Sequence, residues 1–352
     1  MDKKVIIYCF MVLILTLIGF TNEIQLENQV LVENQKILDN NCFNFPKSSC
    51  SVFTVEFNGS VFFGNNEDEG GSRKNTRVWF VPASDNFTYG CAYFGFYDNQ
   101  PGADDVDNLA IGGINTQGLC FDALGIPPPH LVLSNISGPT RSRIDDWGTI
   151  LSECASVQEV IQWNLNHNMG GYWYNQLHWA DVSGDAVIIS PGSNDSLAFT
   201  RKVSDHLIST NFNLAGYNLS DPTTYYPCDR YRTIQTILNI YLSNDELTIE
   251  YVRDILDAVH FPETSEYIGT VYYTIFDLKS RDIYLYILGD YDQVFTLNLD
   301  EELEKGEHEM RITMNGYFSP NSSKSTIGFE VLLCILSLIP IMRFMRFYKP
   351  KT

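Results

Sequence analysis

Residues 50–68 read CSVFTVEFNGSVFFGNNED, with an Asn-Gly pair near the middle. Apolar residues alternate on both sides of Asn58-Gly59, and an Asn-Gly pair between two alternating runs is the strongest short signal for a β-hairpin. With the turn centred on this pair, Cys50 lies opposite Glu67 and diagonal to Asp68. The sequence therefore predicts that a cysteine and two carboxylates meet at the open end of one hairpin.

Cys50 is a candidate nucleophile. A thiol attacks as the thiolate, so it needs a base close by. If the chain were cut between Ser49 and Cys50, the freed α-amine, with an ordinary pKa of about 8, would be a built-in base, and the Asp68 carboxylate would orient it. Hairpin geometry alone leaves two alternatives open: Cys50 is a buried or disulfide-bonded cysteine, and Asp68 is a solvated loop acid.

Composition sets the class of protein. The chain has 352 residues and a net charge of −20, with 44% hydrophobic and 13% aromatic residues. Such a chain buries a real core, so intrinsic disorder is excluded as the main state. The length allows about two domains or one large one. The acidic balance repels phosphate backbones, which argues against nucleic acid as a partner.

The periodicity predicts further strands and three helical regions. Strand patterns follow at 77–81, 90–96, 109–115, 119–123, 178–183, 186–190, 270–277, 283–288 and 293–298. Helical spacing covers 144–166, 230–242 and 246–260, and Ser156-x-x-Glu159 is a capping box that starts a second helix inside the first region. Strands, helices and strands again, with short connections, predict one α+β domain of antiparallel sheets covered by helices.

The first 49 residues read as export and processing segments. Lys3 and Lys4 precede an apolar run at 5–20, which predicts a signal peptide over 1–21, with a signal anchor as the alternative. Residues 22–49 are polar and read as a leader in front of the core. One or two disulfides, which an exported protein can form, are expected among four later cysteines: Cys91, Cys120, Cys154 and Cys228.

The C-terminal end predicts a membrane attachment. A domain over 50–315 and a linker over 316–326 lead to an apolar segment at 327–347 that is followed by basic residues. This arrangement resembles surface-sorting tails that are cut and replaced by an anchor, and a buried helix is the alternative. We expect a secreted or cell-surface protein that contacts the membrane through its terminal segments. The oligomeric state and the fate of the tail stay open.

Five stretches share their order with one enzyme family. They are 50–51 with 63–68 (FGNNED), 112–119 (GGINTQGL), 179–185 (WADVSGD), 209–212 (STNF) and 229–232 (DRYR). In this order the chain resembles the N-terminal-nucleophile cysteine hydrolases that act on linear amides, a family of choloylglycine hydrolases, penicillin V acylases and related acyltransferases. The resemblance spans roughly residues 50–300 and implies a four-layer αββα sandwich with two antiparallel sheets.

The resemblance also implies a reaction and a set of site residues. Cys50 would be the nucleophile that hydrolyses the C–N bond of a small N-acyl amide, after autocatalytic removal of the leader. Asp68 would hold the freed amine, and Asn211 would donate a side-chain N–H to the oxyanion. Asn115 would share that pocket, and Arg230 would steady the neighbourhood of Cys50 and Asp68.

Other interpretations of these residues stay open at this stage. Asn115 is also typical of a turn, and Asn211 of a loop. Arg230 reads equally as a surface charge at the start of a helix, and Arg232 is a rival for its role. The chain also departs from the family at Asn65, where bile salt hydrolases and penicillin acylases carry Arg, which puts their substrates in doubt.

Other functions remain as alternatives. An acyltransferase would use the same scaffold and pass the acyl group to an amine, and a catalytically silent surface module would only bind ligands. No nucleotide-binding or zinc-hydrolase motif occurs in the sequence, and its six histidines lack ligand spacing. We therefore expect no cofactor or metal.

Overall fold

The computed structural model describes residues 48–69, 75–85, 88–97, 110–126, 140–141, 146–169, 175–192, 196–216, 228–243, 247–262, 269–287, 290–312 and 318–320. All of them belong to the second of two units, 47–352. The predicted signal peptide, the leader before Ser48, most of the linker and the C-terminal tail lie outside these residues. Within the described residues, no helix is both long and apolar enough to cross a membrane.

Strands make up most of the described chain. They are β1 (Ser48–Phe57), β2 (Ser60–Glu69), β3 (Asn75–Val81), β4 (Cys91–Tyr97), β5 (Ala110–Asn115), β6 (Cys120–Gly125), β7 (Thr140–Arg141), β8 (Asn168–Met169), β9 (Asn175–Ala180), β10 (Ala186–Pro191), β11 (Leu197–Arg201), β12 (His206–Thr210), β13 (Gly269–Asp277), β14 (Asp282–Ile287), β15 (Asp290–Asn298), β16 (His308–Ile312) and β17 (Phe318–Pro320).

The helices fall between these strands in chain order. They are α1 (Asp146–Glu153), α2 (Val157–Asn166), α3 (Cys228–Ser243), α4 (Ile249–Ala258) and α5 (Leu299–Glu304), with a 3₁₀ turn at Leu214–Gly216. As the capping box predicts, the 144–166 region divides at Ser156, whose side chain accepts the Glu159 N–H. Asp181 accepts the Val157 N–H at 2.8 Å, which ties the turn after β9 to the start of α2.

The strands form two large sheets. The first has the order β12-β1-β2-β13-β14-β15, and the second has the order β11-β10-β9-β6-β5-β4-β3-β16-β17. Neighbouring strands in both are antiparallel, whereas β7 and β8 form a separate parallel pair. The predicted strands are confirmed to within a few residues. The elements that the sequence did not predict are β7, β8, β11, β12, β16, β17 and α5.

Side-chain alternation stacks these elements into four layers. Along β1, Cys50 and Val52 belong to the core between the two sheets, and Phe53 and Val55 pack against α3 and α4. The outer face of the second sheet packs against α1 and α2 through a third cluster that includes Trp147. Successive residues of a strand point to opposite faces, so each sheet needs a cover on both sides. The αββα sandwich is therefore confirmed.

The first hairpin has the predicted register. Cys50 pairs with Glu67, and Ser49 pairs with Asp68. Asn58 and Gly59 have φ angles of 49° and 85°, and a two-residue turn with both φ angles positive is the hairpin turn that Asn-Gly favours. The turn chemistry thus fixes which acids lie beside Cys50.

The expectation of disulfides among Cys91, Cys120, Cys154 and Cys228 is wrong. Cys91, Cys120 and Cys154 are buried free thiols, so the four form no disulfide among themselves. Cys120 faces the core between the sheets, whereas Cys91 and Cys154 face the helices on the other side of that sheet. The Cys91 thiol instead donates to the carbonyl of Tyr89 at 3.4 Å.

His178 joins the two sheets through the central layer. It lies in β9 of the second sheet, and its ring nitrogens hydrogen-bond with the Thr54 hydroxyl at 2.9 Å and the Ser209 hydroxyl at 2.8 Å. Both hydroxyls belong to strands of the first sheet. Burial lowers the pKa of His178 to about 3, so the folded protein keeps this ring neutral.

This buried ring predicts one part of the acid sensitivity of the fold. An unfolded histidine takes up a proton below a pH of about 6.5, whereas the folded His178 ring stays neutral. Protonation therefore favours the unfolded chain as the pH falls from about 6.5 towards about 3. The difference in free energy of unfolding between the wild-type chain and His178→Gln should therefore decrease by about 1.4 kcal/mol for each pH unit in this range.

Urea unfolding of both chains between pH 7.5 and 4.5 measures this difference. Burial raises the pKa of Asp68, which acts in the opposite direction, but Asp68 is present in both chains and its effect cancels. A difference that stays constant across the pH range would contradict the assignment.

Candidate active site at Cys50

The two faces of β1 give Cys50 two different environments. Its thiol points into the layer between the sheets, where Glu67 lies opposite it. The next residue, Ser51, points towards the helices, and so does Asp68 from β2, because both contact Arg230 of α3. The site therefore has a thiol side between the sheets and an arginine side beneath α3.

The backbone of Cys50 is clamped on the arginine side. Its N–H donates to Oδ1 of Asn211 at 2.5 Å, and its carbonyl accepts from Nη1 of Arg230 at 2.5 Å. Arg230 Nη2 also donates to the same Asn211 oxygen at 2.8 Å. Asn211 follows β12, which pairs with β1, so sheet pairing brings it beside Cys50. One amide oxygen and one guanidinium thus hold both polar atoms of the Cys50 backbone.

Asp68 lies at the same arginine. Its Oδ2 is 3.8 Å from Arg230 Nη1, and the Thr270 hydroxyl donates to Oδ1. Burial raises the pKa of Asp68 to about 6, although Arg230 and the Thr270 hydroxyl oppose the shift. Within the described part of the chain, Oδ2 has no hydrogen-bond partner. This oxygen is available to a further donor.

The thiol side of the site is acidic. Sγ of Cys50 is 3.7 Å from Oε2 of Glu67, within hydrogen-bond distance for a thiol donor. Burial raises the pKa of Cys50 well above its ordinary value, and the nearby charges of Glu67 and Asp68 raise it further. In the uncut chain the thiol therefore keeps its proton at neutral pH.

A second carboxyl group faces the thiol side from the opposite sheet. Asp122 of β6 is buried, and Asn65 donates to its Oδ2 at 2.8 Å. Burial and the charge of Glu67 raise the pKa of Asp122 well above its ordinary value, which favours its neutral form. A Cβ at Gly112 would lie 2.5 Å from this Oδ2, so the approach requires glycine.

No role for Glu67 or Asp122 was predicted from the sequence. Glu67 was placed opposite Cys50, and Asp122 was part of a predicted strand. The sequence did contain one signal for Asp122. It lies two residues from Cys120 and from Leu124, so it is an acid on the strand face that carries these two core residues. The sequence could not predict that Asp122 lies near Glu67 of the other sheet, because this proximity depends on how the two sheets pack.

The structure does not bring Asn115 to this site. Asn115 lies in β5 of the second sheet, where its Nδ2 donates to the carbonyls of Leu151 at 2.7 Å and Cys154 at 2.8 Å. Its Oδ1 accepts from the N–H groups of Gln117 and Leu119. The amide is occupied by the end of α1 and the β5–β6 turn, on the face that points away from Cys50. The contacts thus favour the turn interpretation over a place in the oxyanion pocket.

The remaining sequence alternatives have clear positions. Arg232 hydrogen-bonds with Asp229 within the first turns of α3, at 3.4 Å, whereas Arg230 is 3% exposed and reaches Cys50. The structure thus brings four of the five candidate residues together: Cys50, Asp68, Asn211 and Arg230. Among the described residues, no group of three or more His, Cys, Asp or Glu side chains is placed to hold a metal ion.

Known structures share this fold. Two crystal structures of variants of conjugated bile acid hydrolase from Clostridium perfringens match with TM-scores of 0.57 and 0.56, each at 14% identity, and cover 78% of this chain and 100% of theirs. Penicillin V acylase from Agrobacterium tumefaciens matches with a TM-score of 0.52 at 16% identity, over 75% of this chain and 90% of its own. No protein-family model and no curated protein sequence matches the chain.

These likenesses define the class of fold. Two antiparallel sheets between helical layers form an αββα sandwich, which is the fold that this chain shares with these solved structures. At identities this low, the comparison establishes the shared fold, and the chemistry must be argued from the residues of this chain.

Proposed function

We propose that this protein is a cysteine amidohydrolase that cleaves the linear, non-peptide C–N bond of an N-acyl amide. Cys50 is the nucleophile after the chain has been cut between Ser49 and Cys50. One observation carries the proposal: Asn211 and Arg230 hold the Cys50 nitrogen and carbonyl, with Asp68 at the same arginine. The likeness to the bile acid hydrolase and penicillin V acylase folds supports it.

The cut changes what the Cys50 nitrogen can do. A peptide N–H donates one hydrogen bond and accepts no proton, whereas a free α-amine has an ordinary pKa of about 8 and is a base at neutral pH. The Asn211 oxygen already accepts from this nitrogen, and Oδ2 of Asp68 has room for a second donor. The amine takes the thiol proton, and the thiolate attacks the carbonyl carbon of the substrate.

Asn211 can also stabilise the tetrahedral intermediate. An amide nitrogen carries two N–H groups, and the carbonyl of Gly125 accepts one of them at 2.9 Å. The second N–H is the proposed donor to the oxyanion. Because Arg230 and the Cys50 N–H fix the other end of this amide, the donor is held in place before the charge develops.

The reaction then proceeds through a thioester. The C–N bond of the tetrahedral intermediate breaks, and the Cys50 ammonium returns its proton to the leaving amine. Water, deprotonated by the same α-amine, attacks the thioester and releases the acid and the free thiol. If another amine reached the thioester instead, the protein would be an acyltransferase, and exchange with added amines distinguishes that alternative.

Asn65 bears on the class of substrate. By the family resemblance, Asn65 takes the place of an Arg in bile salt hydrolases and penicillin acylases, and its amide nitrogen donates a hydrogen bond to Asp122. The proposed substrate is therefore a small N-acyl amide. Export through 1–21 and attachment through 327–347 complete the proposal, and both segments lie outside the described residues.

The proposed cut determines the first residue of the mature chain. Intact-mass analysis and N-terminal sequencing of purified protein should find Cys50 as the first residue. Cys50→Ala should leave the Ser49–Cys50 bond intact and abolish turnover of a panel of fatty-acyl, phenoxyacetyl and bile-acid amides, because it removes the attacking sulfur from both reactions. Activity in a chain that still carries residues 22–49, or unchanged turnover in Cys50→Ala, would refute the proposal.

Asn211 and Asn115 were both sequence candidates for the oxyanion pocket, and substitutions distinguish their roles. Asn211→Ala should lower kcat by about 10²- to 10³-fold, because it removes the proposed oxyanion donor. Asn115→Ala removes four backbone contacts elsewhere and should lower the free energy of unfolding, with kcat per folded molecule kept. Steady-state rates and urea unfolding of both chains separate these effects. Equal losses of kcat would contradict the assignment of the pocket.

A further inference from the structure

The uncut chain has a chemical problem that the mature enzyme does not have. Before the cut, the Cys50 nitrogen belongs to a peptide bond and donates its hydrogen to Asn211, so it cannot accept the thiol proton. The thiol is buried, and burial raises its pKa, so it does not ionise without help. Self-cleavage, which is part of the proposed function, therefore needs a base other than the α-amine.

Glu67 is the group in position to be that base. Its Oε2 is 3.7 Å from Sγ of Cys50, on the face of the hairpin that points away from Arg230. The pairing of β1 with β2 sets this contact, because Cys50 and Glu67 are directly opposite in the register. We propose that Glu67 takes the Cys50 thiol proton during self-cleavage, and that the α-amine replaces it as the base once the chain is cut.

The step balances without a co-reactant other than water. The Sγ proton passes to the Glu67 carboxylate, and the thiolate attacks the carbonyl carbon of Ser49, closing a five-membered ring. The Ser49–Cys50 C–N bond breaks, and its nitrogen takes up the proton that left the sulfur. The product is a thioester of Ser49 on Sγ with a free amine, and water hydrolyses it to a Ser49 carboxylate and the Cys50 thiol.

The neighbouring ionisable groups fit other roles. Asp68 contacts Arg230 and Thr270 on the opposite face. Asp122 is a poorer base for the thiol, since burial and the charge of Glu67 raise its pKa well above the ordinary range, and Asn65 already donates to its Oδ2. Both ring nitrogens of His178 already form hydrogen bonds with hydroxyl groups.

Glu67→Gln in the full chain tests the inference. Gln keeps the size of the side chain and removes its basicity, so the rate of Ser49–Cys50 cleavage, followed by intact mass, should fall by about 10²-fold or more. Glu67→Asp retains a carboxylate at a longer distance and should cleave at an intermediate rate. The control is Glu301→Gln, which alters an exposed carboxylate on α5 and should cleave like the wild type.

A second measurement separates cleavage from turnover. An engineered protease site in front of Cys50 exposes the amine in wild-type and Glu67→Gln chains, and the amide turnover of the cut variant should fall far less than its cleavage rate. Glu67→Gln cleaving as fast as wild type would overturn the inference. So would loss of its folded near-UV circular dichroism, which would make Glu67 structural. A wild-type chain that does not cleave would instead refute the proposed function.

Discussion

The guanidinium of Arg230 is the contact on which this site depends. From the first turn of α3 it donates to the Cys50 carbonyl, the Ser51 hydroxyl and the Asn211 side chain, and it lies 3.8 Å from Asp68. A buried charge is tolerated only when it is paired and hydrogen-bonded. Arg230 satisfies that condition by using groups from three separate strands and loops. Fixing the arginine therefore also fixes the backbone of the nucleophile.

The sheet divides the chemistry between its two faces. Because side chains alternate along β1, the Cys50 thiol and the Cys50 backbone clamp lie on different sides of the same strand. The side facing α3 carries the Asp68 carboxylate, which suits an ammonium group, and the Asn211 amide, which suits an oxyanion. The side between the sheets carries Glu67, which is 3.7 Å from the sulfur, and Asp122, whose pKa is raised by burial. Such costly buried acids in a stable core are typical of functional sites.

The sequence predicted what local chemistry determines. The Asn58-Gly59 turn set the hairpin register, and that register placed Glu67 and Asp68 beside Cys50. Asn211 and Arg230 came from the family resemblance, because sheet pairing and helix packing bring them from 161 and 180 residues away. Asn115 matched a motif, but its position on the outer face of the second sheet depends on long-range packing. The same packing places Cys120 on the opposite side of the second sheet from Cys91 and Cys154, which no spacing rule could reveal.

The most direct test of this account is the covalent intermediate. Mature protein mixed with an N-acyl amide and quenched in acid should give a peptide that begins with Cys50, carries the acyl group as a thioester on its sulfur and keeps a free α-amine. Peptide mapping by mass spectrometry locates the group, and hydroxylamine should release it. Acylation of a different residue, or turnover by a chain whose Ser49–Cys50 bond is intact, would contradict the central claim.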